Sequence, residues 1–353
     1  MSTVNVFITV DTEHSIGGAF KDPSLKPVGN EKRVYGKIGG TFYGIPLIID
    51  IADHYGIPLT FFVEIFNKYH FGNDESKEVC EYILKRNHDV QLHLHPNYLN
   101  FTLSEPHQMR YSDLMGNYSL SKQVEFIKES KETLLHFGVP PPIAFRAGCF
   151  GANVATLRAL RKTGFLIDSS YNTSYLGDSC LLPDMNINDL VSIENIWEFP
   201  ITNFIEHIPF LKPRPRPLDI NGVSFEEMHF ILQRTGTEGP HNITIILHSF
   251  SFIKPFDAQY VKARPRTHVM RRFEKLCEFL SDNRSNYHVR TFGSLNEQKL
   301  INMRKQAVQT LSKVPLMLCL MRGFTQLKDK ATDFPLHRNR AKFRGRKDRN
   351  SSN

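Results

Sequence analysis

The sequence predicts an α/β protein built on a parallel sheet. Short β-branched apolar runs alternate along it with amphipathic stretches of helical period. Several of those runs are continuously apolar, as in strands covered by helices on both faces. The runs also end in polar, chemistry-bearing residues, as the carboxyl ends of parallel strands do.

Residues 4–10 (VNVFITV) read as the first buried strand, ending in Asp11-Thr12-Glu13-His14. The glycine-containing stretch 15–40 is longer than most connections, which marks it as a candidate functional loop. Residues 44–55 have helical spacing closed by Gly56, 58–64 (PLTFFVE) form a strand, 75–86 an amphipathic helix, and 89–93 (DVQLH) a strand. A helix follows over 119–137, with Ser119 as N-cap and Leu120, Val124, Ile127, Leu134 and Leu135 as its apolar face. Pro140 to Pro142 break it. Residues 143–146 read as a strand end, 154–163 as a helix closed by Gly164, and 165–168 as a short strand. The stretch 171–196 reads as irregular and 197–200 as extended. Residues 212–217 (KPRPRP) read as a loop, because proline removes every second donor. A helix over 225–233, a clearly buried strand over 242–247 (NITIIL) and a helix over 267–280 complete the alternation.

Residues 1–297 thus read as one catalytic-looking domain, 298–327 as a helical and apolar extension, and 328–353 as a basic, disordered tail. The 353 residues admit one or two domains, and 41% hydrophobic against 23% charged excludes global disorder. The net charge of +8 suggests an anionic partner. Residues 328–349 hold nine Lys and Arg against three Asp, so +6 of the +8 belongs there. An anionic membrane surface is the partner expected for that segment; its two phenylalanines, without a recognition motif, argue against nucleic acid. Five scattered cysteines without CxxC spacing exclude a disulfide framework and a cysteine-rich zinc site, and point to a reducing compartment. The N-terminal segment lacks the pattern of a secretory signal, and no apolar run approaches the ~20 residues of a membrane helix. A cytoplasmic location, peripheral at the inner membrane face, is therefore expected.

The strand ends carry the chemistry. Asp11 and Glu13 stand at i and i+2, on one side of an extended segment. Two carboxylates beside a buried strand are costly unless a cation or a proton transfer uses them. His93 and His95 repeat that geometry with imidazoles, suited to Zn²⁺ or a similar ion. His88 and Asn97 are weaker neighbours. Arg146 closes a strand and is followed by Ala147 and Gly148; an arginine there can hold a carboxylate. His248, with Ser249, stands at the mouth of the 242–247 strand, placed for acid–base work. Asp168, followed by Ser169-Ser170, can orient His248 or Arg146. Together these are the equipment of a metal-assisted hydrolase.

In this order the motifs resemble the polysaccharide deacetylase superfamily (carbohydrate esterase family four) over roughly residues 4–293. The family's TFDDG is met by Thr9-Val10-Asp11-Thr12-Glu13. Its G-H-E-I-x-x-H is met by Asn87-His88-Asp89-Val90-Gln91-Leu92-His93. Its R-x-P-Y is met by Arg146-Ala147-Gly148-Cys149, its aspartate-bearing fourth motif by Asp168, and its L-x-H-x by Leu247-His248-Ser249. The resemblance implies a distorted (β/α) barrel of about seven parallel strands. It implies removal of an N-acetyl, or less often O-acetyl, group from a sugar, polysaccharide or glycolipid. Asp11 would be the base, and Glu13, His93 and His95 the ligands of a divalent metal: zinc first, with cobalt, manganese or nickel as alternatives. A backbone amide near Gly148 or Cys149 would face the oxyanion, His248 would be the acid, and Arg146 with Asp168 would hold base and acid.

Four positions depart from the family pattern. Thr12 replaces the second aspartate, so Glu13 takes the metal role. Asn97 stands where the second histidine of an H-x-x-x-H pair belongs, so His95 substitutes or Asn97 ligates weakly. The proline and tyrosine of R-x-P-Y are absent. This pattern resembles a divergent branch linked to lipopolysaccharide or cell-wall polysaccharide synthesis. Two other readings stay open: an allantoinase-like C–N hydrolase acting on a small amide, and a degenerate fold that binds glycan without cleaving it.

Overall fold

The computed structural model of the chain describes residues 3–208, 212–235 and 238–331. Its centre is a nine-stranded sheet. Eight strands run parallel, seven of them in one continuous order: β1 (Val4–Thr12), β2 (Thr60–Glu64), β3 (Asp89–Leu94), β4 (Ala144–Ala147), β5 (Ile167–Asp168), β6 (Ile196–Glu198) and β7 (Asn242–His248). Their order is β7-β1-β2-β3-β4-β5-β6, with Val191–Ile193 added antiparallel beyond β6. The strand Tyr287–Val289 pairs with the first residues of β1, below the point where β2 takes over the same edge. This is the distorted barrel of about seven strands that the motif order implies.

Among the described residues no strand closes the sheet; irregular backbone fills the gap beside β7. Thr202 N donates to Thr244 O at 3.1 Å, Ile246 N to Leu218 O at 3.0 Å, and Ile220 N to Ile246 O at 3.0 Å. The open edge of β7 is thereby satisfied, as buried backbone requires.

The two faces of the sheet bury different things. Val6, Ile8 and Val10 of β1, Phe61 and Val63 of β2, Leu92 of β3 and Phe145 of β4 point outward into the main core. There they meet helices α1 (Ile45–His54), α2 (Asp74–Lys85), α3 (Leu120–His136), α4 (Val154–Lys162), α5 (Phe225–Arg234) and α6 (Thr267–Asp282). Residues of the alternate parity fill the barrel interior. Phe7, Phe199 and Phe292 meet there with ring centroids 4.8–5.0 Å apart, and Phe62 lies 5.8 Å from Phe292. This aromatic plug, worth roughly 1.5–3 kcal/mol of burial per ring, floors the space above it.

Local signals act as expected in most places. Ser119 caps α3 through Lys122 N at 3.3 Å, although Leu135, counted with the apolar face, is exposed. The 212–217 stretch is not a plain loop: Arg214–Pro217 pairs antiparallel with Asn203–Glu206. An antiparallel ladder needs the N–H of alternate residues only, so prolines at 215 and 217 leave Arg214 and Arg216 to serve it. The 171–196 stretch contains the Val191–Ile193 strand. Beyond residue 297 two helices form, α7 (Glu297–Gln306) and α8 (Leu316–Ala331). The basic segment expected to be disordered begins within α8, and its remainder, residues 332–353, lies outside the described residues.

Candidate active site

Strand parity assembles the site at the carboxyl end of the barrel. In β1, Phe7, Thr9 and Asp11 face the interior, while Thr12 points the other way and its hydroxyl turns back to Val10 O. Glu13, one step past the strand, returns to the side of Asp11. Asp11 stands at the same register as His248 on the neighbouring β7. Base and acid candidates are thus brought together by the pairing of β1 with β7.

Arg146 is fully buried on the interior side of β4, its guanidinium 4.3 Å above the Phe62 ring. Every nitrogen is used. Nη1 donates to Asp11 Oδ1 at 2.6 Å and to Thr9 Oγ1 at 3.0 Å, Nε to Ser169 O at 2.9 Å, and Nη2 to Ser169 Oγ at 2.9 Å. A buried arginine fixed at four points holds Asp11 in place and neutralises it, as a desolvated carboxylate requires.

Glu13, His93 and His95 offer one ligand atom each, all within 4.8 Å of one another. Glu13 Oε2 is 2.7 Å from His95 Nε2 and 3.7 Å from His93 Nε2. Both imidazoles are held from behind: His93 Nδ1 lies 2.8 Å from Arg146 O, and His95 Nδ1 2.9 Å from Asp113 Oδ1. Donation from each Nδ1 leaves the two Nε2 atoms facing Glu13, the orientation a metal-binding histidine needs. His95 Nε2 is buried and makes no hydrogen bond of good geometry. Two imidazoles and one carboxylate, each oriented by an outer partner, fit a divalent ion that keeps a position open for chemistry.

The charges around the trio were not all visible in sequence. Arg33 Nη2 donates to Glu13 Oε1 at 3.0 Å, its guanidinium lies 3.0 Å from the centre of the Phe250 ring, and Nη1 meets the Tyr260 hydroxyl. It comes from the long 15–40 connection, whose length was the only signal. Burial lowers Arg33 to about 10 against the support of Glu13. Burial opposes charge on Glu13 too, but His95, His93 and Arg33 hold it well below the usual carboxylate range. Asp113, from a stretch without pattern, does the reverse for His95. With Glu13 it outweighs burial and holds the imidazole well above its ordinary value. Glu64, ending β2 at the register of His93, was also missed. It is fully buried, accepts from the amides of Phe66 and Asn67 at 2.6 and 2.7 Å, and burial pushes it up to about 7.

The remaining candidates divide. Gly148 lies against His95: a Cβ there would stand 2.5 Å from Nδ1, so the histidine's position demands glycine. Cys149 is exposed, with a left-handed backbone (φ 53) and its Sγ 3.4 Å from Asp113 Oδ2. Asn97 follows on the turn after His95, with a buried Oδ1 that makes no hydrogen bond. His88 lies at the amino end of β3, bonded to Leu59 N and Asp53, far along the barrel from this site. Ser249 N donates to Asp11 O at 2.9 Å, joining the two strand ends.

Asp168 does not take its expected place. Ile167 occupies the interior, so Asp168 faces outward, where Ser170 Oγ donates to it at 2.7 Å and Glu198 stands at the same register on β6. No hydrogen bond or ion pair joins it to Arg146 or His248 among the described residues; Ser169 meets the arginine instead. The acid that His248 acts on electrostatically is Asp219, whose carboxyl burial raises and His248 lowers. His248 N is held by Ser251 Oγ at 2.8 Å, and its ring Nδ1 is buried without a hydrogen bond.

No protein-family model matches the chain, and no curated protein matches it. Solved structures do. It is similar to a Mycobacterium smegmatis protein assigned as a polysaccharide deacetylase, at 14% identity and TM-score 0.49, over 89% of this chain and 95% of that one. It is similar to the 4-alpha-glucanotransferase from Thermococcus litoralis at 10% identity and TM-score 0.50, over 90% of this chain and 42% of the transferase. It is similar to the family 4 carbohydrate esterase from Streptomyces lividans in complex with acetate at 10% identity and TM-score 0.40, over 82% of this chain and 93% of that one. At these identities the likeness is one of fold, and it agrees with the strand order: the chain is a curled, open (β/α) barrel.

Proposed function

We propose that the chain is a divergent polysaccharide deacetylase: a metal-dependent hydrolase that removes an acetyl group from an N-acetylated sugar of a polysaccharide, oligosaccharide or glycolipid. One observation carries the reading. A buried Asp11–Arg146 pair, the Glu13–His93–His95 trio and His248 converge above one aromatic floor at the carboxyl end of the barrel.

Glu13, His93 and His95 would hold the ion, zinc being the first candidate for two imidazoles and a carboxylate. Such an ion supplies Lewis acidity for activating water and polarising an acyl oxygen. The chain's own groups do the rest. Arg146 occupies Asp11 Oδ1, leaving Oδ2 to take a proton from the attacking water. His248 delivers a proton to the leaving nitrogen as the C–N bond breaks, giving acetate and the free amine. Backbone amides around Gly148 and Cys149 are the donors proposed for the acyl oxygen. We propose a cytoplasmic location, peripheral at the inner membrane face, a reading supported by the basic charge of residues 328–349.

Metal analysis of the purified protein, combined with acetate release from N-acetylated sugars, tests this. We expect stoichiometric metal that Glu13→Ala or His93→Ala abolishes. Asp11→Asn is expected to retain metal and lose acetate release. Undiminished release from Asp11→Asn would overturn the mechanism. One observation favours a second reading, glycan binding without cleavage: Arg33 already pairs with Glu13, offering the carboxylate a permanent cation. A protein with neither metal nor acetate release, yet retaining glycan, would establish that reading instead.

A further inference from the structure

We propose that the outer face of α8 is a docking surface for an anionic lipid bilayer. The helix has two unlike sides. Cys319 and Arg322 face the body and are buried, with Leu318 packed beside them. Arg322 pairs with Glu227 at 2.7 Å and with Glu206. The opposite side carries Leu316, Met317, Leu320, Met321 and Phe324, exposed by 36, 71, 48, 46 and 66%. Their spacing of i, i+1, i+4, i+5, i+8 makes one continuous helical stripe. Single exposed apolar residues are ordinary, but five large ones aligned on a docked helix mark a contact surface.

Charge on both flanks says what covers it. Between α8 and α6 lies a cavity of about 260 Å³, lined by His268, the exposed Arg271 and Lys275, Thr325 from α8 and one acid, Glu226, while Arg272 beneath it is buried and bonded to Ile220 O. Beyond α8, the sequence between Arg338 and Arg349 holds seven basic residues, against the acidic Asp333 and Asp348. An apolar stripe with cationic flanks is the chemistry of an interfacial helix: side chains enter the acyl boundary while Lys and Arg meet lipid phosphates. A second copy of this chain would bring like charges together. No helix among the described residues is long and apolar enough to cross a membrane, so α8 lies on the surface.

Flotation with lipid vesicles tests the proposal. The full chain is expected to float with phosphatidylcholine vesicles containing about 30% phosphatidylserine, and to do so less as salt rises. Pure phosphatidylcholine should capture it at least ~10-fold less well. Met317→Glu with Phe324→Glu, both at exposed positions, should abolish flotation while leaving the melting temperature unchanged. Flotation indifferent to that double change or to lipid charge overturns the proposal. So does a dimer in sedimentation that the double variant dissociates, without vesicle binding; that outcome assigns the stripe to a second copy. A double variant that melts earlier, from a protein that never floats, assigns it to the chain's own C-terminal segment and overturns the proposal as well.

Discussion

His95 is held in place by two residues that contribute no ligand atom. Asp113 accepts from its Nδ1 at 2.9 Å, and Gly148 lets the backbone come against the ring. Outer partners of this kind fix tautomer and orientation, and their removal commonly costs ~10–100-fold in metal affinity. Asp113→Asn should therefore weaken zinc binding by about that factor, with secondary structure and melting of the metal-free protein little changed. Titration against a competing chelator reads the affinity directly, and wild-type affinity in the variant would count against this role. Asp113 and Arg33 were illegible in sequence because both act across long loops. Nothing at positions 33 or 113 resembles a strand end, and only folding brings them to Glu13 and His95.

At the level of elements, one residue of parity decides which strand-end groups reach the site. Asp168 sits beside Ile167, and Ile167 holds the interior position, so the carboxylate is turned outward against Glu198. Asp168 Oδ2 and Glu198 Oε2 are buried without a hydrogen-bond partner, and two acids at one register favour holding a proton between them. Burial raises Asp168, and burial with the Asp168 charge raises Glu198 well above 4.5. The sign follows. Unfolded, both acids ionise by about pH 4.5; folded, they keep a proton above that. The native state then binds more protons, and its stability falls as pH rises above about 4.5. Glu198→Gln should flatten that decline. Thermal midpoints of wild type and variant, measured from pH 4.5 upward, should converge or cross in the variant's favour. Parallel curves would show that the pair does not carry the proton. The same parity rule made the rest of the site readable, since Asp11, His93 and Arg146 all alternate with outward apolar neighbours that announce which way they face.

For the whole molecule, the charged tie between α8 and the barrel is the buried Arg322. Arg322 joins α8 to Glu227 on α5 and to Glu206 of the Asn203–Glu206 hairpin, where Arg214 and Arg216 also meet Glu206. Removing it strands Glu227 as an unpaired buried acid. Arg322→Ala should cost about 3–5 kcal/mol in chemical denaturation, while removal of residues 332–353 should cost little. Equal, small losses from both changes would mean that α8 is not part of the folded unit. The sequence by itself determined the alternation of elements, the parallel sheet and the sidedness of most strand-end residues. Those properties follow from local periodicity and from the cost of burying polar groups. Only the tertiary structure decided which ends meet. The pairing of β1 with β7 sets Asp11 beside His248 across more than two hundred residues of chain, and the curl of the sheet brings Arg146 over to Asp11. Loop backbone then delivers Arg33 and Asp113 to the ligands. These are long-range closures, and no local pattern of side chains encodes them.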